Sequence, residues 1–82
     1  MTTLAAFPTA EREAFTNACR RHGFIAADFS VCDVAAGEQD RLVSVLRPET
    51  GVLMQYAAGS RNSWSTKFEH DLAIGFFGDA PE

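Results

Sequence analysis

Two spacings of apolar residues divide this chain. Between Thr9 and Gly23, at about 100° per residue, Ala14, Phe15, Ala18, Cys19 and His22 fall on one broad face while Arg12, Glu13 and Arg20 lie elsewhere. This spacing predicts an amphipathic helix. Thr9 is its expected N-cap, Glu11 and Glu13 suit the positive end of the helix dipole, and Arg20, Arg21 and His22 suit the negative end. Gly23 follows as a left-handed stop.

Beyond the connector FIAAD the period falls to two. FSVCDV, Phe29 to Val34, sets Phe29 and Val31 against Ser30 and Cys32. After the polar loop AAGEQD, RLVSVLR (Arg41 to Arg47) sets Leu42 and Leu46 against Val43 and Val45, and reads as a central strand covered in part on both faces. PETG, Pro48 to Gly51, is a hairpin turn, and VLMQYA (Val52 to Ala57) returns as a third strand. Val52, Met54 and Tyr56 share one side of it; Leu53, Gln55 and Ala57 share the other.

AGSRN reads as a loop, and helical spacing then resumes. Asn62 or Ser63 is the expected cap, with Thr66 and Glu69 as a second capping box. Trp64, Phe68, Leu72 and Gly75 share a face; Thr66, Glu69, His70 and Ala73 point away. Lys67 and Asp71, four apart at the rim, read as an exposed ion pair contributing about 0.2–0.5 kcal/mol. Gly75 ends the helix, Phe76 and Phe77 fold back over an open edge of the core, and Gly78 releases the acidic tail DAPE.

The order α-β-β-β-α, with short connections, predicts an α+β domain: a three-stranded antiparallel sheet with two helices packed on one face. Residues 1–82 form a single domain, with an ordered core of about 8–78. Trp64, Phe68 and Leu72 are expected between the sheet and Phe15, because a core this small needs its aromatic residues to close.

Composition narrows the function. Hydrophobic content of 46% and charged content of 22% are globular values, and no apolar run approaches the ~20 residues that span a bilayer. MTTLAAFPTAERE lacks a basic region followed by a long apolar run, so no secretion signal is read there. Cys19 and Cys32 are too few for a disulfide framework and read as reduced thiols in a cytoplasmic protein. A net charge of −4 opposes binding to phosphate backbones unless the cations cluster.

Candidate chemistry is sparse. Cys19 and His22 are the only short-spaced pair among Cys19, His22, Cys32 and His70, so neither a zinc site nor a thiol–imidazole nucleophile is expected. The glycines form no phosphate-binding loop. The reading is of a non-enzyme without a cofactor or metal.

Two resemblances accompany this reading. Y-A-A-G-S-R-N-S-W-S-T-K-F-E-H-D-L-A-I-G-F-F-G, Tyr56 to Gly78, resembles the ending of a group of small bacterial α-β-β-β-α proteins; it implies the fold and carries no activity. The element order and length are also similar to the double-stranded-RNA-binding domain, which grips phosphates at the start of its last helix. That resemblance implies a contact surface of Arg20, Arg21, Arg61, Asn62 and Lys67. Where that family carries a tight lysine cluster, this chain has Gly59, Ser60, Arg61 and Asn62 and then Lys67, followed by Glu69 and Asp71.

The expected function is a protein-interaction or regulatory module. Its surface would be the free edge of the first or third strand with Phe76 and Phe77, engaging a protein partner or a second copy of the chain. The alternative is a nucleic-acid-binding regulator using the five residues just named. Neither reading involves a membrane.

Overall fold

The structure, a computed structural model, describes residues 2–35, 37, 40–58 and 63–80. In chain order it contains strand β1 (Thr2–Thr3), helix α1 (Thr9–Arg21), strands β2 (Ser30–Ala35), β3 (Arg41–Arg47) and β4 (Val52–Ala58), and helix α2 (Trp64–Ala73). Short 3-10 turns at Leu4–Ala6 and Ala26–Asp28 lead into α1 and β2. No described helix is long and apolar enough to cross a membrane.

The sheet is antiparallel and has four strands in the order β1-β2-β3-β4, which corrects the three-stranded expectation. The extra strand is the pair Thr2 and Thr3, set against Asp33 and Cys32. Two residues are too few to show a period, so only the pairing reveals them. The turn that follows, closed by the Phe7 amide donating to the Leu4 carbonyl at 3.0 Å, sinks Phe7 into the core. Leu4 packs against the core beside it.

Registers fix which residues face the helices. Val31, Val43, Val45 and Tyr56 are buried on one face together with Phe15, Ala18 and Cys19 of α1 and Trp64, Phe68 and Leu72 of α2. Trp64 and Phe68 are 2% and 0% exposed, wedged between sheet and α1 as the spacing predicts. Phe68 is the hub: its ring centroid lies 4.8 Å from Phe15, 5.5 Å from Phe29 and 5.5 Å from Phe77. Among the described residues, the opposite face carries no helix. There the rows Leu46–Leu53 and Val34–Leu42–Ala57 flank a polar row of Cys32, Ser44 and Gln55, in which the Gln55 amide donates to Ser44 Oγ at 3.3 Å.

Helix starts depart from the expected caps. Pro8, not Thr9, is the N-cap of α1; its carbonyl accepts from the Glu11 and Arg12 amides, and Thr9 Oγ1 accepts instead from the Arg12 guanidinium. Ser63 occupies the N-cap position of α2 without a side-chain bond to the helix amides, its hydroxyl being engaged by Thr66 Oγ1 at 3.0 Å. Asn62, the other expected cap, lies outside the described residues. The Thr66–Glu69 capping box does not form, because the Glu69 carboxylate is drawn to α1.

Both helices end as the sequence predicts, and by one device. The Gly23 and Phe24 amides donate to the Arg20 and Cys19 carbonyls, and the Gly75 and Phe76 amides to the Leu72 and Asp71 carbonyls. These are the paired bonds of a Schellman stop, which need φ > 0 at the residue after the cap. Gly23 and Gly75 supply it at 77° and 80°. Each stop turns the chain so that a phenylalanine just beyond, Phe24 or Phe77, packs on the core.

Candidate interaction groove at the edge of the sheet

β4 pairs with β3 along its whole length on one side, and among the described residues no strand lies on the other. Such an edge leaves every second residue with an unpaired amide and carbonyl in the plane of the sheet. The expected edge on the first predicted strand is partly closed, since β1 covers β2 at Cys32 and Asp33. The expected third-strand edge is the open one.

Helix α2 runs beside this edge, because Trp64, Phe68 and Leu72 must face the core and thereby turn Lys67 and Asp71 toward β4. Between them is an open groove of about 580 Å³, lined by Met54, Gln55, Tyr56 and Ala57 from β4 and by Thr66, Lys67, His70 and Asp71 from α2. The Tyr56 hydroxyl donates to Asp71 Oδ2 at 2.6 Å, tying the floor to the wall. Burial, and then this bond to a carboxylate, push the Tyr56 phenol well above its ordinary pKa. The expected Lys67–Asp71 pair is therefore replaced: the buried phenol claims the carboxylate, and Lys67 makes no ion pair among the described residues.

The other expected surface residues separate. Phe76 is 42% exposed and stacks edge-on against Phe77 at 5.2 Å. Phe77 is 0% exposed, which corrects its place in an exposed patch. The reason is the turn after Gly75, which brings its ring within 5.6 Å of Phe29 as well as onto Phe68. Arg21 is bound by Glu69 through two bonds of 2.6 and 2.8 Å, with His22 Nε2 3.1 Å from the same carboxylate. The Arg21 guanidinium, assisted by His22, holds the Glu69 carboxyl below its usual range. Arg20 lies on the outer face of α1 beside Arg12, Glu13 and Asn17. Lys67 is on the opposite flank of α2 from Glu69, so the structure does not gather Arg20, Arg21 and Lys67 into one patch. Arg61 and Asn62 lie outside the described residues.

Charged groups beside the core serve structure. Glu11 accepts from Trp64 Nε1 at 2.8 Å and from Arg41, whose Nε donates to Asp33 at 2.6 Å. Cys19 and His22 diverge: His22 faces Glu69, and Cys19 is 0% exposed, its thiol pushed up to about 12 by burial with a small opposing effect of a backbone hydrogen bond.

The Cys19 thiol makes a prediction about pH. In the unfolded chain it ionises near 9.0, in the folded chain near 12, so the folded state alone keeps the proton between those values. Stability is then full below about pH 9 and falls by about 1.4 kcal/mol per unit above it. Tyr56 acts in the same direction. Urea midpoints should drop steeply between about pH 8.5 and 10.5, and less steeply in Cys19→Ala. A flat profile in the parent protein contradicts the burial of both groups.

Compared with protein-family models, with curated proteins and with solved structures, the chain finds no match in any of the three. The geometry of the groove is therefore the basis for a functional reading.

Proposed function

We propose that this protein is a non-enzymatic interaction module that accepts an extended segment of a partner as a further strand on β4, with α2 as the second wall. The observation that carries the reading is the groove itself: a seven-residue edge strand with a helix flank beside it. Main-chain hydrogen bonds from an unpaired edge supply affinity, and the wall alongside selects alternate side chains, which is the logic of strand addition. The edge strand carries Leu53, Gln55 and Ala57 exposed and contains neither proline nor a charged residue, the usual features that block an edge.

The test is a titration of the isotopically labelled protein with capped seven-residue peptides of high strand propensity, followed by amide spectra. Perturbed and newly protected amides should concentrate in Val52–Ala58, with side-chain and amide shifts in Thr66–Asp71. Perturbations confined to α1 or to the helix-free face of the sheet would overturn the reading, as would no response at millimolar peptide.

A further inference from the structure

Resting on the strand-addition reading, we infer that the segment accepted by β4 is acidic: it places an Asp or Glu side chain beside Lys67 and apolar side chains over Met54 and Tyr56. The charges facing the groove are few. Lys67, His70 and Asp71 line it from α2, and the β4 stretch VLMQYAA contributes none. Asp71 is half-buried, and its Oδ2 already accepts from Tyr56. Lys67 is exposed and makes no ion pair among the described residues, in contrast to Arg21, Arg41 and Arg47, each of which has a carboxylate partner.

Position strengthens the cation. Lys67 is the fourth residue of α2, close to the end where the helix dipole is positive, and Asp71 lies one turn toward the negative end. The groove therefore runs from a positive end at Lys67 to a negative end at Asp71, whose Oδ2 is held by the phenol. A carboxylate on the added strand is attracted at the first and repelled at the second. Side chains of that strand that point toward α2 alternate, so the acidic group and its apolar neighbours over Met54 and Tyr56 stand two residues apart.

The same facts argue against a second copy as the occupant. A second β4 brings no acidic residue to Lys67, since its sequence holds none. It also brings a second α2. Added strands lie about 4.8 Å apart whereas packed helices need about 8–10 Å between axes, so two helices that each line their own groove are crowded across the joint. A free extended segment brings no such helix.

The experiment uses three pools of capped seven-residue peptides, built from Val, Ile, Thr and Tyr, that carry Glu, Gln or Lys at one inward-facing position. Calorimetric affinities are compared for the parent protein, Lys67→Gln and Lys67→Glu; Lys67 is exposed, so these variants keep the fold. At low salt the Glu pool should bind the parent about 1.5- to fivefold more tightly than the Gln pool, the range expected of one partly exposed ion pair. The advantage should shrink at about 0.5 M salt and vanish in Lys67→Gln. In Lys67→Glu the Lys pool should become the tightest. Equal binding of all three pools with β4 amides perturbed overturns the acidic preference and leaves strand addition standing. No binding by any pool overturns both. A stable dimer by light scattering that excludes the peptides from β4 overturns the assignment of the occupant.

Discussion

Phe68→Ala should destabilise the protein by about 3–5 kcal/mol, the range for deleting a buried phenyl ring. The ring is 0% exposed and touches every part of the core: Phe15 from α1, Tyr56 from the sheet, Trp64 from its own helix, Phe29 before β2 and Phe77 after α2. Neighbours held from five directions cannot all collapse into the space, so the cavity term adds to the lost transfer free energy. At about 0.05–0.15 kcal/mol per residue, 82 residues supply about 4–12 kcal/mol in total. The variant is thus left at or near the folding threshold, with Tm lower by about 15–30 °C if a transition remains. Urea unfolding followed by the fluorescence of Trp64, the single tryptophan, measures this directly. Phe68→Leu should cost about 1–2 kcal/mol. A loss below about 1 kcal/mol in Phe68→Ala contradicts the placement of this ring at the centre.

Arg47→Met is expected to loosen the C-terminal segment. Arg47 is 2% exposed and points inward from the end of β3, with its guanidinium 5.1 Å from the centre of the Phe24 ring. Its NH1 donates to the Phe77 and Asp79 carbonyls, both at 2.8 Å, while NH2 reaches the exposed Glu49 at 3.4 Å. Replacing a buried charge with a well-packed apolar side chain is often neutral when its partners go too. Here they remain: two backbone carbonyls lose a charged donor, each at about 1–3 kcal/mol. Loss of the buried Nε, which has no partner among the described residues, returns part of that. The net expectation is a loss of about 2–4 kcal/mol. Arg47→Lys, which keeps a charged donor, should lose less. Amide exchange at Phe76, Phe77 and Gly78 should accelerate in Arg47→Met beyond the global loss, because the strap acts on that segment first. Unchanged exchange there would show that Phe77 is held by its ring contacts alone.

Much of the architecture could be read from local pattern. The 3.6-residue spacing of Phe15, Ala18 and Cys19 and of Trp64, Phe68 and Leu72 reports which side of each helix is buried, since burial and helical period are both properties of a few consecutive turns. Gly23 and Gly75 mark the helix ends because a left-handed residue is a backbone requirement. Arg47 has the parity of Val43 and Val45 in β3 and lies buried with them. A guanidinium is tolerable in that inward position only because a pair of distant carbonyls, those of Phe77 and Asp79, accepts from it.

The groove was half legible. The strand on its floor and the helix on its wall could be named, and Lys67 and Asp71 could be placed at the rim. That Tyr56 would take Asp71 and leave Lys67 unpaired depends on which strand α2 lies beside, a relation between residues 15 positions apart for the bond itself. Burial of Phe77 and the clasp of Arg21 by Glu69 belong to the same class.

The amino-acid order alone determined two amphipathic helices with their stops, the three longer strands, and an aromatic core centred on Trp64 and Phe68, because each is dictated by period and by backbone freedom within a few residues. Tertiary structure decided the rest: the added strand at Thr2–Thr3, the inward turn of Phe77 and Arg47, and the slot between β4 and α2. Those depend on which distant groups meet, and a buried polar atom accepts whichever partner the packing brings within reach.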